Sequence, residues 1–207
     1  MHIGKSVTKA IDEMLLGDNE SAMLHACNAI DGTAAKVYPT LGSNARFTKL
    51  LRDNYTIFGP MGMPGINIIE TRFPVPIKNP KANGGKPDIA DVMYGIHRCT
   101  HGHGLELPLG FELIQDASVI TNPPRTRIIV EKGKIKLSDR IVYGLIAVAV
   151  FSPVNIGQST PKGYYLTFGG IKTMVINDWW GRAIDFPSVS ELVTMPLVKF
   201  DFGDWMN

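Results

Sequence analysis

Within eight consecutive residues, His97-Arg98-Cys99-Thr100-His101-Gly102-His103-Gly104, lie three of the chain's five histidines, an arginine and a cysteine. Arg98 and His103 stand in the pattern Arg-x4-His followed by glycine. An imidazole titrates near neutral pH and can take or give the proton of a ribose 2′-hydroxyl. A guanidinium can hold the phosphate and the charge that grows on it as that hydroxyl attacks. These are the two groups that cleavage of RNA without a metal requires. Other readings of the same residues stay open. Cations at a helix C-terminus meet its free carbonyls and the negative end of its dipole, so the pair could serve as a cap. His97 and His101 are four apart on one helix face, and His103 could complete a three-imidazole zinc site with Glu106 as a fourth ligand or a partner to one. No Cys-x-x-Cys or His-Glu-x-x-His supports that site, so neither a metal nor any other cofactor is expected. Cys99 beside positive charge could be a lowered-pKa nucleophile, although a buried structural thiol is the simpler reading for it and for Cys27.

Elsewhere, Trp179-Trp180-Gly181-Arg182 combines aromatic faces with a cation, a pattern that can stack single-stranded bases. Asp31, set among Ala and Ile, reads either as a buried partner for Arg98 or as a surface carboxylate. Lys36 reads as solvated and His25 as a helix-face residue without chemistry. There is no Gly-Lys-Ser/Thr after the glycine-rich stretch at Gly59–Gly65, no Gly-x-Gly-x-x-Gly after a strand and no Gly-x-Ser-x-Gly, which leaves nucleotide hydrolysis and serine-hydrolase chemistry without support.

The elements that position these residues are legible from periodicity. Residues 4–16 place Val7, Ile11, Met14 and Leu15 at helical spacing, and Gly17-Asp18-Asn19 ends the run. Glu20–Tyr38 continues with Met23, Leu24, Cys27, Ile30, Ala34 and Val37 on one stripe, as an antiparallel neighbour of the first helix. A third helix is expected over Ser43–Phe58, buried through Phe47, Leu50, Leu51, Tyr55 and Phe58. Gly59–Lys86 is dense in Gly and Pro and reads as a long excursion, with a short extended piece at Ile66–Phe73. Asp88 then caps a fourth helix whose stripe is Ile89, Val92, Met93 and Ile96 and whose end falls near Gly102–Gly104, so the His/Arg cluster sits at its C-terminus.

After Pro108 the period becomes two. Phe111–Asp116 and Thr126–Leu137, the latter turned at Lys132-Gly133, read as strands, and Tyr164–Phe168 with Lys172–Ile176 reads as a hairpin about Gly169-Gly170. Between them Ile141–Phe151 is wholly apolar or glycine but has about half the ~20 residues a bilayer crossing needs, so residues 138–152 are expected as a buried helix. The expected fold is α+β: a helical bundle of four to five helices over residues 1–108, and a strand-rich part with one buried helix over residues 109–207, packed as one compact unit.

Composition limits the partners. Apolar residues at 44% and charged residues at 19% suit a globular core. A net charge of +2 with no Lys/Arg run supplies no extended basic face, so any RNA contact must be local. Two cysteines and no signal-peptide pattern point to a reducing, cytoplasmic setting, with no membrane span.

The run Asp91-Val-Met-Tyr-Gly-Ile-His-Arg98-Cys-Thr-His-Gly-His103-Gly resembles the signature of the HEPN superfamily, Arg-x(4–6)-His at the end of the last core helix. The helix Ala26-Cys-Asn-Ala-Ile-Asp31-Gly-Thr-Ala-Ala-Lys36 is similar in character to the earlier HEPN helix whose polar residues face the active site. The resemblance covers about residues 1–105. It implies a metal-independent endoribonuclease of a prokaryotic defence or stress system, as in toxin–antitoxin and abortive-infection loci. His103 would be general acid or base and Arg98 would stabilise the transition state, with Asp31 in support and a 2′,3′-cyclic phosphate as product; His101, Cys99 and His97 beside the pair are further supporting candidates. It further implies a homodimer with two such pairs facing one groove, and an antitoxin or defence partner. Cys99 stands where active members often carry Asn, and His101 is an additional histidine. These departures keep open a second reading, a non-catalytic HEPN-like dimer that binds a partner protein or RNA.

Overall fold

The computed structural model describes residues 2–103, 110–116, 126–131, 134–192 and 195–202, and of residues 98–103 the backbone alone. Its first two helices, α1 (Ile3–Leu16) and α2 (Asn19–Val37), are separated by two residues with opposite duties. Gly17, at φ +80°, and Asp18 donate their amides to the carbonyls of Met14 and Glu13, closing α1. Asp18 then caps α2 by accepting from the Ser21 amide at 3.0 Å. So short a link permits only an antiparallel pair.

Inward-facing residues of α2 are mostly small, including Ala22, Ala26, Cys27, Ala29 and Ala34, all fully buried. Small side chains let several helices approach one axis, and α2 contacts α1, α3 (Ser43–Asp53), α5 (Ile89–His103) and α6 (Arg140–Phe151).

The helix expected over Ser43–Phe58 is two helices, α3 and α4 (Tyr55–Gly62), broken at Asn54. The Asn54 side chain donates to the Leu50 carbonyl at 2.9 Å, the competition with the backbone ladder that ends helices at Asn. α4 runs on through Gly59 and Pro60 to Gly62, where an irregular excursion had been expected. The reason is tertiary. α4 packs on α6 with Gly62 against Gly144, and a Cβ on Gly144 would stand 2.9 Å from the Gly62 Cα. Ten of the twelve residues of α6 are buried, so this helix from the second half of the chain completes the bundle built by the first.

From Met63 to Pro87 the chain is irregular. The extended piece expected at Ile66–Phe73 is reduced to a single bridge between Ile66 and Val198, followed by turns in which the Thr71 amide bonds the Asn67 carbonyl. The partner strand is the C-terminal segment 195–202. Its Val198 amide donates to Gly65 and its Val198 carbonyl accepts from Asn67.

β1 (Phe111–Ile114), β2 (Ile128–Glu131) and β3 (Lys134–Ser138) form a sheet in the order β1-β3-β2. β2 and β3 are the expected hairpin, with residues 132 and 133 outside the described residues, whereas β1 joins β3 in parallel. On β3, Ile135 and Leu137 enter the core while Lys134 and Lys136 meet Glu112 on the outer face. β4 (Tyr165–Phe168) and β5 (Lys172–Val175) form the second expected hairpin, followed by α7 (Ile176–Trp179) and α8 (Phe186–Ser190). The architecture is α+β, with one buried apolar cluster that runs from Ile3 to Val189. Among the described residues no helix is long and apolar enough to cross a membrane.

Candidate active site

The helix that carries the His/Arg cluster is anchored at its start by ionic chemistry that sequence inspection did not find. Asp88 caps α5 by accepting from the Asp91 amide at 3.0 Å. Arg52, in the last turn of α3, grips both oxygens of Asp88 at 2.8 and 2.9 Å and reaches Asp91 at 3.0 Å. The Tyr55 hydroxyl donates to Asp88 at 2.9 Å, and Asp91 accepts the amides of Lys81 and Ala82 at 2.7 and 2.9 Å. The two carboxylates are 5% and 1% exposed. Burial raises the pKa of Asp88, but the fork of Arg52, the Asp91 amide and the Tyr55 hydroxyl outweigh it and hold the carboxyl below its ordinary value. Burial and the neighbouring Asp88 charge push the Tyr55 phenol up. α3, α4, the 81–82 loop and α5 therefore share one buried charge network, and breaking such a network by removing one partner costs about 3–5 kcal/mol.

The middle of α5 is held by packing. Ile89, Ala90, Val92, Met93 and Ile96 are buried. Tyr94 and His97 lie on Phe47 of α3, with the His97 ring stacked at 5.1 Å and 15°. His97, proposed above as a supporting or metal-binding group, is 6% exposed and belongs to this interior aromatic contact. Gly95 faces Ile77, whose terminal carbon would lie 2.8 Å from a Cβ there.

Beyond His97 the backbone of α5 stays helical through His103, which puts Arg98, Cys99, His101 and His103 on its last turns. The side chains of these four lie outside the described residues, as does Glu106. Among the described residues no group of three or more His, Cys, Asp or Glu could hold a metal ion.

The other candidates are placed as follows. Asp31 is half-buried and paired, whereas the side chain of Arg98 lies outside the described residues. Arg46 of α3 holds it through both oxygens, at 3.0 and 3.2 Å, clamping α3 to α2. Lys36, exposed as expected, donates to Asn155 at 3.1 Å. Asn155 is buried and ties Thr33 of α2 to the Ala149 carbonyl of α6, both at 2.8 Å. Cys27 is fully buried and burial pushes its thiol up, as an inert structural cysteine requires. His25 is half-buried, and burial followed by the charge of Lys9 lowers its pKa.

The tryptophan pair, expected above as a stacking surface, lies in the interior. Trp179 and Trp180 are 8% and 7% exposed. Phe151 lies 5.1 Å from the Trp179 ring, and the Arg182 guanidinium sits 5.0 Å from the same ring while bonding Asp185 at 2.6 Å. The two adjacent indoles belong to the core beside α6 and α8, which leaves them little surface.

A second polar knot, also missed in the sequence, joins the sheet to α6. Asp116 accepts from Ser138 and from Arg127, the latter at 3.2 Å, and its amide donates to Asp139 at 3.0 Å. Arg140 donates to the Asp116 carbonyl at 3.1 Å. Asp116 and Asp139 are both buried, so the knot fixes how the sheet meets the start of α6. The linear signal was the triplet Ser138-Asp139-Arg140 at a strand end, which without the fold reads only as a helix start.

A model of the Rv1289 family matches residues 2–206. The chain is 40% identical over 205 residues to the uncharacterized proteins Rv1289 of Mycobacterium tuberculosis and Mb1320 of Mycobacterium bovis, an alignment that takes in 99% of this chain and 95% of each relative. No solved structure matches it.

Proposed function

The chain belongs to the Rv1289 family, and we propose for it a metal-independent endoribonuclease activity centred on Arg98 and His103. The observation that carries this reading is the position of the pair on the last turns of α5, a helix whose start and middle are locked by the Arg52–Asp88–Asp91 network and the Phe47 contact. A reaction that depends on two side chains needs a rigid support, and α5 has one. His103 would take the 2′-hydroxyl proton and return one to the leaving 5′-oxygen, while Arg98 would hold the phosphate as its charge grows.

The helical spacing supports a paired arrangement. Five residues of α-helix correspond to about 7.5 Å of rise and about 140° of rotation, so positions 98 and 103 fall on different faces of one helix. Two copies related by a two-fold axis could set Arg98 of one against His103 of the other, in keeping with the homodimer that the HEPN resemblance implies. The near-neutral charge suits a short RNA contact in such a groove. The setting that goes with this reading is a prokaryotic cytoplasm, in a defence or stress system.

The experiment is cleavage of a single-stranded RNA by the purified chain in EDTA, with product ends and oligomeric mass measured together. Cleavage to 2′,3′-cyclic phosphate ends by a dimer is expected. His103→Ala should lose about 10²–10⁴-fold in rate while keeping the wild-type circular dichroism, and Arg98→Ala should behave likewise. A folded wild type that leaves the RNA intact refutes the reading.

A further inference from the structure

Two cavities adjoin beside α4, and their walls differ in chemistry. The first has a volume of about 400 Å³ and is walled by Met63, Ile66, Ile68, Phe168, Met195 and Leu197. The second, of about 350 Å³, is bordered by Arg52, Asp53, Arg72, Lys81 and Asp88. Tyr55, Thr56 and Ile69 line both, so the apolar slot and the charged chamber share a wall.

The charges in that chamber do not cancel. Asp88 is taken by Arg52 and Tyr55. Asp53 is taken by Lys49 at 2.8 Å and by the Tyr38 hydroxyl. Arg52 spends its fork on Asp88 and Asp91. Arg72 and Lys81 are left, and among the described residues no carboxylate pairs with either. Arg72 directs Nη1 to the carbonyls of Ile69 and Thr71, at 2.8 and 3.0 Å. A guanidinium has five N–H donors, so the Nε/Nη2 edge, the one that matches a carboxylate in bidentate fashion, keeps its donors. Glu191 also borders the apolar slot, but it is exposed to solvent.

The geometry points to a binding site for an amphipathic monoanion, a free medium-chain fatty carboxylate, with its head on Arg72 and Lys81 and its tail among Met63, Ile66 and Leu197. Methionine walls suit a flexible alkyl chain, and a concave, mostly apolar slot with a few polar groups at one end is the usual form of a small-molecule site. One wall of the slot is the C-terminal segment, attached to 65–71 by the two Val198 backbone bonds. The site is separate from α5's last turns and does not rest on RNA chemistry.

Calorimetric titration of the full chain with decanoate, decanol and acetate tests this. Decanoate should bind saturably at one site per chain, decanol about tenfold or more weakly, since hydrogen bonds to a charged group contribute about 1.5–3 kcal/mol, and acetate should not bind measurably. The double variant Arg72→Gln/Lys81→Gln should bring decanoate down to the affinity of decanol and leave decanol unchanged. Ile69→Glu, at an exposed position shared by both cavities, should abolish decanoate binding without altering the fold. Absence of saturable decanoate binding to the folded wild type overturns the assignment, and so does decanoate binding that both variants leave unaltered.

Discussion

Replacing Arg52 by alanine should destabilise the protein in a pH-dependent way that only the Asp88–Asp91 network explains. The wild-type guanidinium makes three contacts of 2.8–3.0 Å to two carboxylates with little solvent access. Without it, Asp88 keeps the Tyr55 hydroxyl and one amide, and Asp91 keeps two amides. Two negative charges then remain buried together. Loss of one partner from a buried pair costs about 3–5 kcal/mol. Arg52 itself is partly exposed and water can follow the truncation, so the lower end, about 3 kcal/mol, is the expected cost near pH 7. That is a large part of the about 5–15 kcal/mol by which domains are stable.

The pH dependence has opposite signs in the two proteins. In wild type the Asp88 pKa lies below its ordinary 3.8, so its contribution is present above that value and is lost as pH falls through the lowered pKa. In the variant, burial and mutual repulsion favour the protonated acid, so folding takes up a proton and the deficit shrinks as pH falls from about 7 to about 4.5. Urea unfolding followed by circular dichroism at those two pH values, both above the range in which wild type loses the Asp88 contribution, measures the deficit and its change. A deficit under about 1 kcal/mol, the size of an exposed ion pair, or one that is equal at both pH values refutes the reasoning.

Gly144→Ala should also destabilise, although alanine is the better helix former by about 1 kcal/mol. The new Cβ would meet the Gly62 Cα at 2.9 Å and the Phe58 ring at 3.1 Å, an overpacking worth about 1–3 kcal/mol, and a rise in melting temperature would contradict the contact. In a Cys99→Ser background, Cys27 should resist a thiol reagent in the native protein and react fully in denaturant, because it is buried with a raised pKa. Fast native labelling would place it elsewhere.

Much of the scaffold was legible because local rules sufficed. Helices α1 and α2 came from apolar stripes separated by Gly17-Asp18-Asn19, and the start of α5 from the Asp88 cap, since these signals involve neighbours in the chain. The two hairpins followed from alternation and turn residues. Readings failed where a residue answered to a distant partner. Gly59 and Gly62 looked like turn residues, but Gly62 is small because α6 crosses there. The Trp179-Trp180 step looked like a stacking surface and is core, because aromatic type alone does not say which face is covered.

The site divides in the same way. The order of residues along the chain determined that Arg98, His101 and His103 fall on the end of one helix, since spacing and a cap are properties of a single segment. What holds that helix was decided only in three dimensions. Arg52 and Asp88 are 36 residues apart, Lys49 and Arg52 hold Asp53 and Asp88 while among the described residues no carboxylate pairs with Arg72 or Lys81, and Asp31 turns to Arg46. A charge acts over a few ångströms in a buried setting, and which charges come that close is settled by packing, not by order in the chain.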